Sequence, residues 1–244
     1  MFKQLLASAG IGACKIDTQL HSNQCVPGGT LKGQILIQGG AVAQQINGFE
    51  LGLMTRVKVS SDNGDHIQNF CLQRFRLAEA MLVEPGSKHQ VPFELNLPTE
   101  LPVTHLSQHT VGKVWLTSEA NIDMALDPTD NDLLRIDATP LIRHSVDAML
   151  ALGYQLQKVD VEKGYLQVAG KRSRFGCYQE FEFRPRQWLS GIKEVELSFL
   201  PDGTDILVVV EVDRSFRGDS FRTLRLSPNS SSAEISAALR SVLG

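Results

Sequence analysis

The run from Glu84 to Pro102 constrains this chain most, because it places a turn, a strand and an edge signal side by side. Pro85-Gly86 sets up a tight turn, the proline fixing φ and the glycine accepting a positive φ after it. Val91-Pro92-Phe93-Glu94-Leu95-Asn96-Leu97 then alternates with the period of a half-buried strand. Pro92 has no N–H to give to a ladder, so this strand belongs at a sheet edge or a bulge. Pro98 and Pro102 close the run.

The same grammar repeats from Lys15 to about Ala125, strand after strand between Gly, Asn, Asp and Pro signals, as in an antiparallel sandwich. Pro27-Gly28-Gly29 turns into Thr30–Ile37, which ends at Gly39-Gly40. Asn47 to Val59 is the longest strand expected, with Phe49, Leu51, Leu53, Val57 and Val59 on one face and Glu50, Arg56 and Lys58 on the other. At about 3.3 Å per residue it would run about 43 Å, so a bend is expected, and Gly48 and Gly52 are the places for it. Asn63-Gly64 marks a hairpin whose returning strand covers His66 to Leu77. Val111 to Glu119 follows, with Trp115 expected to be buried.

Leu126-Asp127-Pro128-Thr129-Asp130-Asn131-Asp132 is polar and turn-rich, and the expected domain boundary falls there, giving domains 1–130 and 131–244. The second opens on a helix near 140–152, with Thr139 as N-cap, Pro140 at the first helical position and Gly153 as terminator. Strands are expected at Tyr154–Val161, Phe175–Phe183, Ile192–Phe199 and Ile206–Val212. A last helix, 233–243, is capped from Ser230, Ser231 and Ser232 and carries Ile235, Leu239 and Val242 on one face. The fold class expected is mainly β: two antiparallel sandwich domains, with a helix at the start of the second and another at the C-terminus.

A formal charge of −3 and a pI near 6.1 give no broad positive field, which argues against nucleic acid as partner. Residues 1–130 carry 9 Lys/Arg against 12 Asp/Glu, and the rest balance at 15 each, so the acidity lies in the first half. Cys14, Cys25, Cys71 and Cys177 show neither a paired motif nor a metal-ligand rhythm and read as reduced thiols. The opening Met1–Gly10 reads as a short amphipathic helical turn rather than a secretory leader, and no run approaches the roughly 18 apolar residues of a membrane span. A cytoplasmic location is expected.

His105 and His109 are four apart, which on a helix would put two zinc ligands on one face, but they sit in loop-like sequence without a third ligand. Asp127, Asp130 and Asp132 lack the glycine and glutamate of a calcium loop. Gly170-Lys171-Arg172-Ser173 lacks the upstream glycine of a phosphate loop and reads as a basic turn. No G-x-S-x-G elbow or cysteine–histidine arrangement is present, so no catalytic, cofactor-binding or metal-binding residue is assigned. One cluster remains: Glu211, Asp213, Arg214 and Arg217 surround the end of the strongly apolar Ile206–Val210. With Arg222 or Arg225 they could form an ion-pair network serving a partner or interdomain contact.

These markers, taken in order, resemble the sporulation-control M-protein family, an arrestin-like bacterial group. The resemblance is carried by Met1-Phe2-Lys3-Gln4-Leu5-Leu6-Ala7-Ser8, Pro27-Gly28-Gly29 with Gly33 and Gly39-Gly40, and Val91-Pro92-Phe93 with Pro98. Further along it is carried by Leu126-Asp127-Pro128-Thr129-Asp130, Leu152-Gly153-Tyr154, Gln179-Glu180-Phe181-Glu182-Phe183 with Pro185, and Glu211-Val212-Asp213-Arg214. It implies two arrestin-like β-sandwich domains side by side, no enzymatic activity, no cofactor, and a regulatory adaptor role in contacts with other proteins. It carries over no binding residues. A ligand- or metal-binding sandwich is the alternative function, and a homodimer through sheet edges or the terminal helix is a further expectation.

Overall fold

The computed structural model describes residues 13–62, 64–78, 80–122, 129–187, 191–215 and 218–243. In chain order the first half contributes β1 (Lys15–Leu20), β2 (Gln24–Cys25), β3 (Thr30–Gln38), β4 (Gln44–Val59), β5 (His66–Ala78) and β6 (Met81–Val83). β7 (Lys88–Asn96), β8 (His105–Leu106), β9 (His109–Thr110), β10 (Val114–Ile122) and β11 (Thr129–Ile136) complete it. The second half runs α1 (Pro140–Ala151), β12 (Tyr154–Lys163), β13 (Gln167–Val168), β14 (Lys171–Arg172) and β15 (Cys177–Pro185). It ends with β16 (Ile192–Asp202), β17 (Asp205–Arg214), β18 (Gly218–Leu226) and α2 (Ser232–Leu243). The fold is mainly β.

One layer of the first half is the sheet β1-β3-β7, in which β7 is an edge strand and Pro92 lies opposite Gln34 of β3. The missing N–H of Pro92 is thus placed where the sequence required it. β3 alternates by burial, with Leu31, Ile35 and Ile37 turned inward. Gly33 interrupts that row because a Cβ there would lie 2.5 Å from the Gln19 carbonyl and 2.8 Å from Phe93 Cζ. Only glycine lets the three strands approach at this point.

The facing layer is built on β4, which pairs with β10 on one side and with β5 and β6 on the other, all antiparallel. The expected irregularities are present: the register shifts between Phe49 and Glu50, between Leu53 and Met54, and opposite Gly48 at Asn121–Ile122. β11 pairs with β10 from Thr129 onward, so Asp130 and Asp132 sit in a strand and not in a solvated linker. Residues 126–128 of the expected linker, the N-terminal turn and Asn63 lie outside the described residues.

In the second half β12, β15, β16, β17 and β18 follow one another as an antiparallel sheet. α1 and α2 pack on each other and against β12 and β18. Thr139 Oγ1 accepts from Ile142 N at 3.4 Å, Pro140 opens α1, and Gly153 follows it with φ +92°. At α2, Ser231 Oγ accepts from Glu234 N at 3.3 Å while Glu234 Oε2 accepts from Ser231 N at 2.7 Å, a reciprocal capping box.

The halves are joined by one parallel pairing, Lys58 of β4 beside Glu162 of β12, which makes a continuous eleven-stranded sheet. Buried side chains from both halves, among them Leu53, Leu116, Met149, Phe181, Leu197, Val210 and Leu239, form one contiguous apolar cluster. Among the described residues no helix is long and apolar enough to cross a membrane.

Candidate functional site

Two features distinguish the molecule beyond its core: the seam between the halves and the outer face of the long sheet. At the seam, Gln179 of β15 reaches the loop before β8, where Oε1 accepts from Val103 N and Nε2 donates to Val103 O, each at 2.9 Å. One side chain thereby does the work of a neighbouring strand, satisfying both polar groups of a residue that is itself buried. Next to it, Glu100 Oε2 accepts from Arg174 N at 2.7 Å, and burial pushes the Glu100 carboxyl up. A cavity of about 70 Å3 lies here, lined by Leu101, Pro102, Leu141, Cys177, Phe181 and Phe199 among others. Ligand pockets run to roughly 300–1,000 Å3, so this volume is a packing gap between layers.

On the outer face Lys58 sits among carboxylates from both halves: Glu162 at 2.9 Å, Asp65 at 3.5 Å and Asp160 at 3.7 Å. Its hydrogen bond to Glu162 raises the ammonium pKa, and Coulomb attraction from Glu162, Asp160 and Asp65 adds to the rise. Because Lys58 and Glu162 share a face, the parity of the strands fixes which side chains lie with them on either side.

On the second half carboxylates outnumber cations on that face, where Lys158 pairs with Asp160, and Arg184 with Glu182 at 3.1 Å and Glu194 at 3.0 Å. Glu182, Glu196 and Glu211 are in register on β15, β16 and β17, with Glu194 beside Asp213 in the next row and Asp160 beside Glu180 in the one before. Glu180, Glu196 and Glu211 each place a carboxylate oxygen within 4.8 Å of the others. Like charges at that spacing cannot all ionise freely. Burial, then Glu162 and Glu211, push Glu180 to about 7, and burial, then Glu180, Glu211 and Glu194, push Glu196 to about 8. Tyr178 is driven up by the same burial and neighbours. Among the described residues these three carboxylates are the grouping whose oxygens converge closely enough for a hard cation, and their first property is to share protons near neutrality.

On the first half the same face is apolar and basic near Trp115, while Glu50, paired with Arg74, lies beside Glu119 farther along β4 and β10. Leu133, Trp115 and Met54 form a row across β11, β10 and β4, flanked by exposed Arg56 and Lys113 on one side and by Arg74 and Arg76 on the other. Trp115, expected in the core, is instead half-buried on this outer face, with Lys113 Nζ 5.4 Å from its ring centroid. The core positions of β10 go to Val114, Leu116 and Ala120.

The residues singled out in the sequence are dispersed. Glu211 joins the acidic row, Asp213 lies 3.5 Å from Lys193, and Arg214 Nη2 donates to Leu243 O at 3.1 Å, holding the end of α2. Arg217 lies outside the described residues. Arg225 pairs with Asp202 and Asp205, and Arg222 donates to its neighbour's carbonyl.

His105 and His109 occupy a two-strand hairpin, where both ring nitrogens of His105 meet threonine hydroxyls, at 2.8 Å and 3.3 Å. Asp130 accepts from Thr18 N at 2.8 Å, and burial, then Asp130 and Asp17, push Asp132 to about 6; Asp127 lies outside the described residues. In the basic turn Lys171 is 2.6 Å from Asp202 and Arg172 stacks 3.5 Å over Tyr165. Lys58, Gln179 and Glu196 were missed; the outward alternation of Glu180, Glu182, Glu194 and Glu196 was visible, but not their alignment.

A family profile described as "SpoOM protein" matches residues 2–216. The sporulation-control protein Spo0M of Bacillus subtilis (strain 168) is 35% identical over 222 residues, covering 89% of this chain and 82% of that one. The crystal structure of Spo0M from Bacillus subtilis superposes with a TM-score of 0.83 at 29% identity, over 96% of this chain and 98% of that one.

Proposed function

This chain belongs to the SpoOM protein family, and from that membership we propose that it is a regulatory protein of the sporulation-control kind, acting in the cytoplasm by contacts with other proteins and without catalysis. The observation that supports this most is the continuous sheet with open edges. β18 ends the eleven-stranded order, pairs through one side with β17 and carries Phe221 exposed at 53%. An edge of this kind accepts an added strand, main-chain bonds giving affinity and alternate side chains giving selectivity. We take the chain to work as two arrestin-like units sharing one sheet and one core, with the boundary moved from the expected 130/131 to between β11 and α1 because β11 pairs with β10.

The test compares proteins captured from host extract by the wild type and by Thr223→Pro, which alters the β18 backbone. A reproducible set of partners lost in the variant, with the variant folded, supports the reading. Reproducible partners retained unchanged by the variant would move the contact off β18. Failure to capture any, together with turnover of a small molecule by the purified chain, overturns it.

The alternative of a metal-binding sandwich rests on the Glu180, Glu196 and Glu211 grouping. A specific ion would stabilise the fold by mass action, so a melting temperature unmoved by calcium and zinc removes that reading.

A further inference from the structure

The outer face of the long sheet differs in charge across the seam: cations in excess beside apolar side chains over β11, β10, β4 and β5, where Glu50 pairs with Arg74, and carboxylates in excess over β15, β16 and β17, where Arg184 pairs with Glu194. We propose that this face is a self-association surface, on which the basic half of one copy lies against the acidic half of a second copy about a two-fold axis near the seam. This goes beyond partner capture at β18 and does not depend on it.

Three observations carry it. The first is complementarity within one chain. An isologous contact repeats each pairing twice, so Arg56 and Lys113 of each copy face Glu194, Glu196 and Asp213 of the other and add to the in-chain cations there, Arg184 on Glu194 at 3.0 Å and Lys193 on Asp213 at 3.5 Å. The second is that each half offers apolar side chains within its charges. Leu133, exposed at 59%, adjoins Trp115 on the basic half. Phe221, exposed at 53% and directly opposite Glu211, does the same on the acidic half. An aromatic anchor on each side, surrounded by charge, is the anatomy of a specific interface. The third is extent. The eight strands from β18 to β11 make seven spacings of about 4.8 Å, which with about 20 Å along the strands give on the order of 670 Å2 per copy. Standard stable interfaces bury roughly 600–1,000 Å2 per partner.

The experiment is sedimentation velocity on the full chain over a wide concentration range, in low salt and in about 1 M salt, where the screening length is about 3 Å. The expected result is a dimer at low salt whose affinity falls by about tenfold or more at high salt. R56E/K113E and E194K/D213K, each checked for folding by circular dichroism, are expected to be monomeric alone and to regain dimeric mass when mixed in equal amounts. If either charge reversal fails to fold, R56Q/K113Q replaces it, with a weakened dimer expected. A wild type that stays monomeric at every concentration overturns the proposal. So does a dimer that survives both reversals, which would place the contact at a sheet edge or at α2, and so does a mixture of the two reversals that remains monomeric.

Discussion

The side-chain amide of Gln179 holds both polar groups of the Val103 backbone, giving to the carbonyl and accepting from the N–H at 2.9 Å each. It binds a loop of the first half to a strand of the second without a strand between them. Gln179→Ala leaves two backbone groups to find water at a buried residue, a cost of about 2 kcal/mol. For a chain of this size that lowers Tm by about 4–8 °C. Urea denaturation measures it, and Gln179→Glu, which keeps the acceptor and loses the donor, should recover only part of the loss.

Glu180 and Glu196 predict a pH dependence of known sign. Their folded pKa values, about 7 and about 8, lie above the ordinary carboxylate value of 4.5, so the folded state binds more protons than the unfolded between those limits. Stability is therefore present in full below the unfolded pKa and falls as pH rises to about 8. Glu196→Gln removes one of the repelling charges. It should raise Tm at pH 8 by about 2–4 °C, the equivalent of roughly 1 kcal/mol, and flatten the profile. Melting curves between pH 5 and pH 9 are the check, where the pH limits span roughly the titration window of raised carboxyls.

Lys58 acts on the same profile from the other side. Lys58→Met removes the cation that faces Glu162, Asp160 and Asp65, all within 3.7 Å of its Nζ. The carboxylates left behind repel one another most when ionised, so the loss should be larger at high pH than at low pH. Equal destabilisation across the range would show that Lys58 contributes packing alone.

α2 is held by packing and by a hydrogen bond to its last turn. Leu239 is fully buried in the shared core, and Leu239→Ala should cost about 2–5 kcal/mol. Arg214→Ala removes one hydrogen bond to the Leu243 carbonyl and a cation at the helix C-terminus, for about 1 kcal/mol. Chemical denaturation should rank them in that order.

Gly33 is the backbone position least able to change. A Cβ would meet the Gln19 carbonyl at 2.5 Å, so Gly33→Ala should force β1 and β3 apart and cost about 1–3 kcal/mol by overpacking. Thermal melting reads the loss directly.

Much of this was legible in the residues. Pro92 announced an edge strand, Thr139 and Pro140 announced the start of α1, and the serines 230–232 announced the start of α2, because each of these signals is local. Trp115 was misplaced because period-2 alternation says that two faces differ, not which one is covered. The alignment of Glu182 with Glu196 and Glu211 depends on the register of three strands, and Lys58 meets Glu162 across more than a hundred residues of chain. Neither follows from sequence spacing. Asp213 and Arg214 were singled out together because they are adjacent, yet adjacent strand residues point to opposite faces, and they serve different contacts.

The two halves form one sheet, joined at Lys58 with Glu162 and bridged at Gln179 with Val103. Native-state hydrogen exchange in rising urea tests it most directly, by comparing the amides of Leu53 in β4 and Val210 in β17. Both are expected to exchange through the same global opening, their opening free energies merging into one isotherm. A β12–β18 unit that opens at lower free energy, while β4 and β10 stay protected, would contradict it.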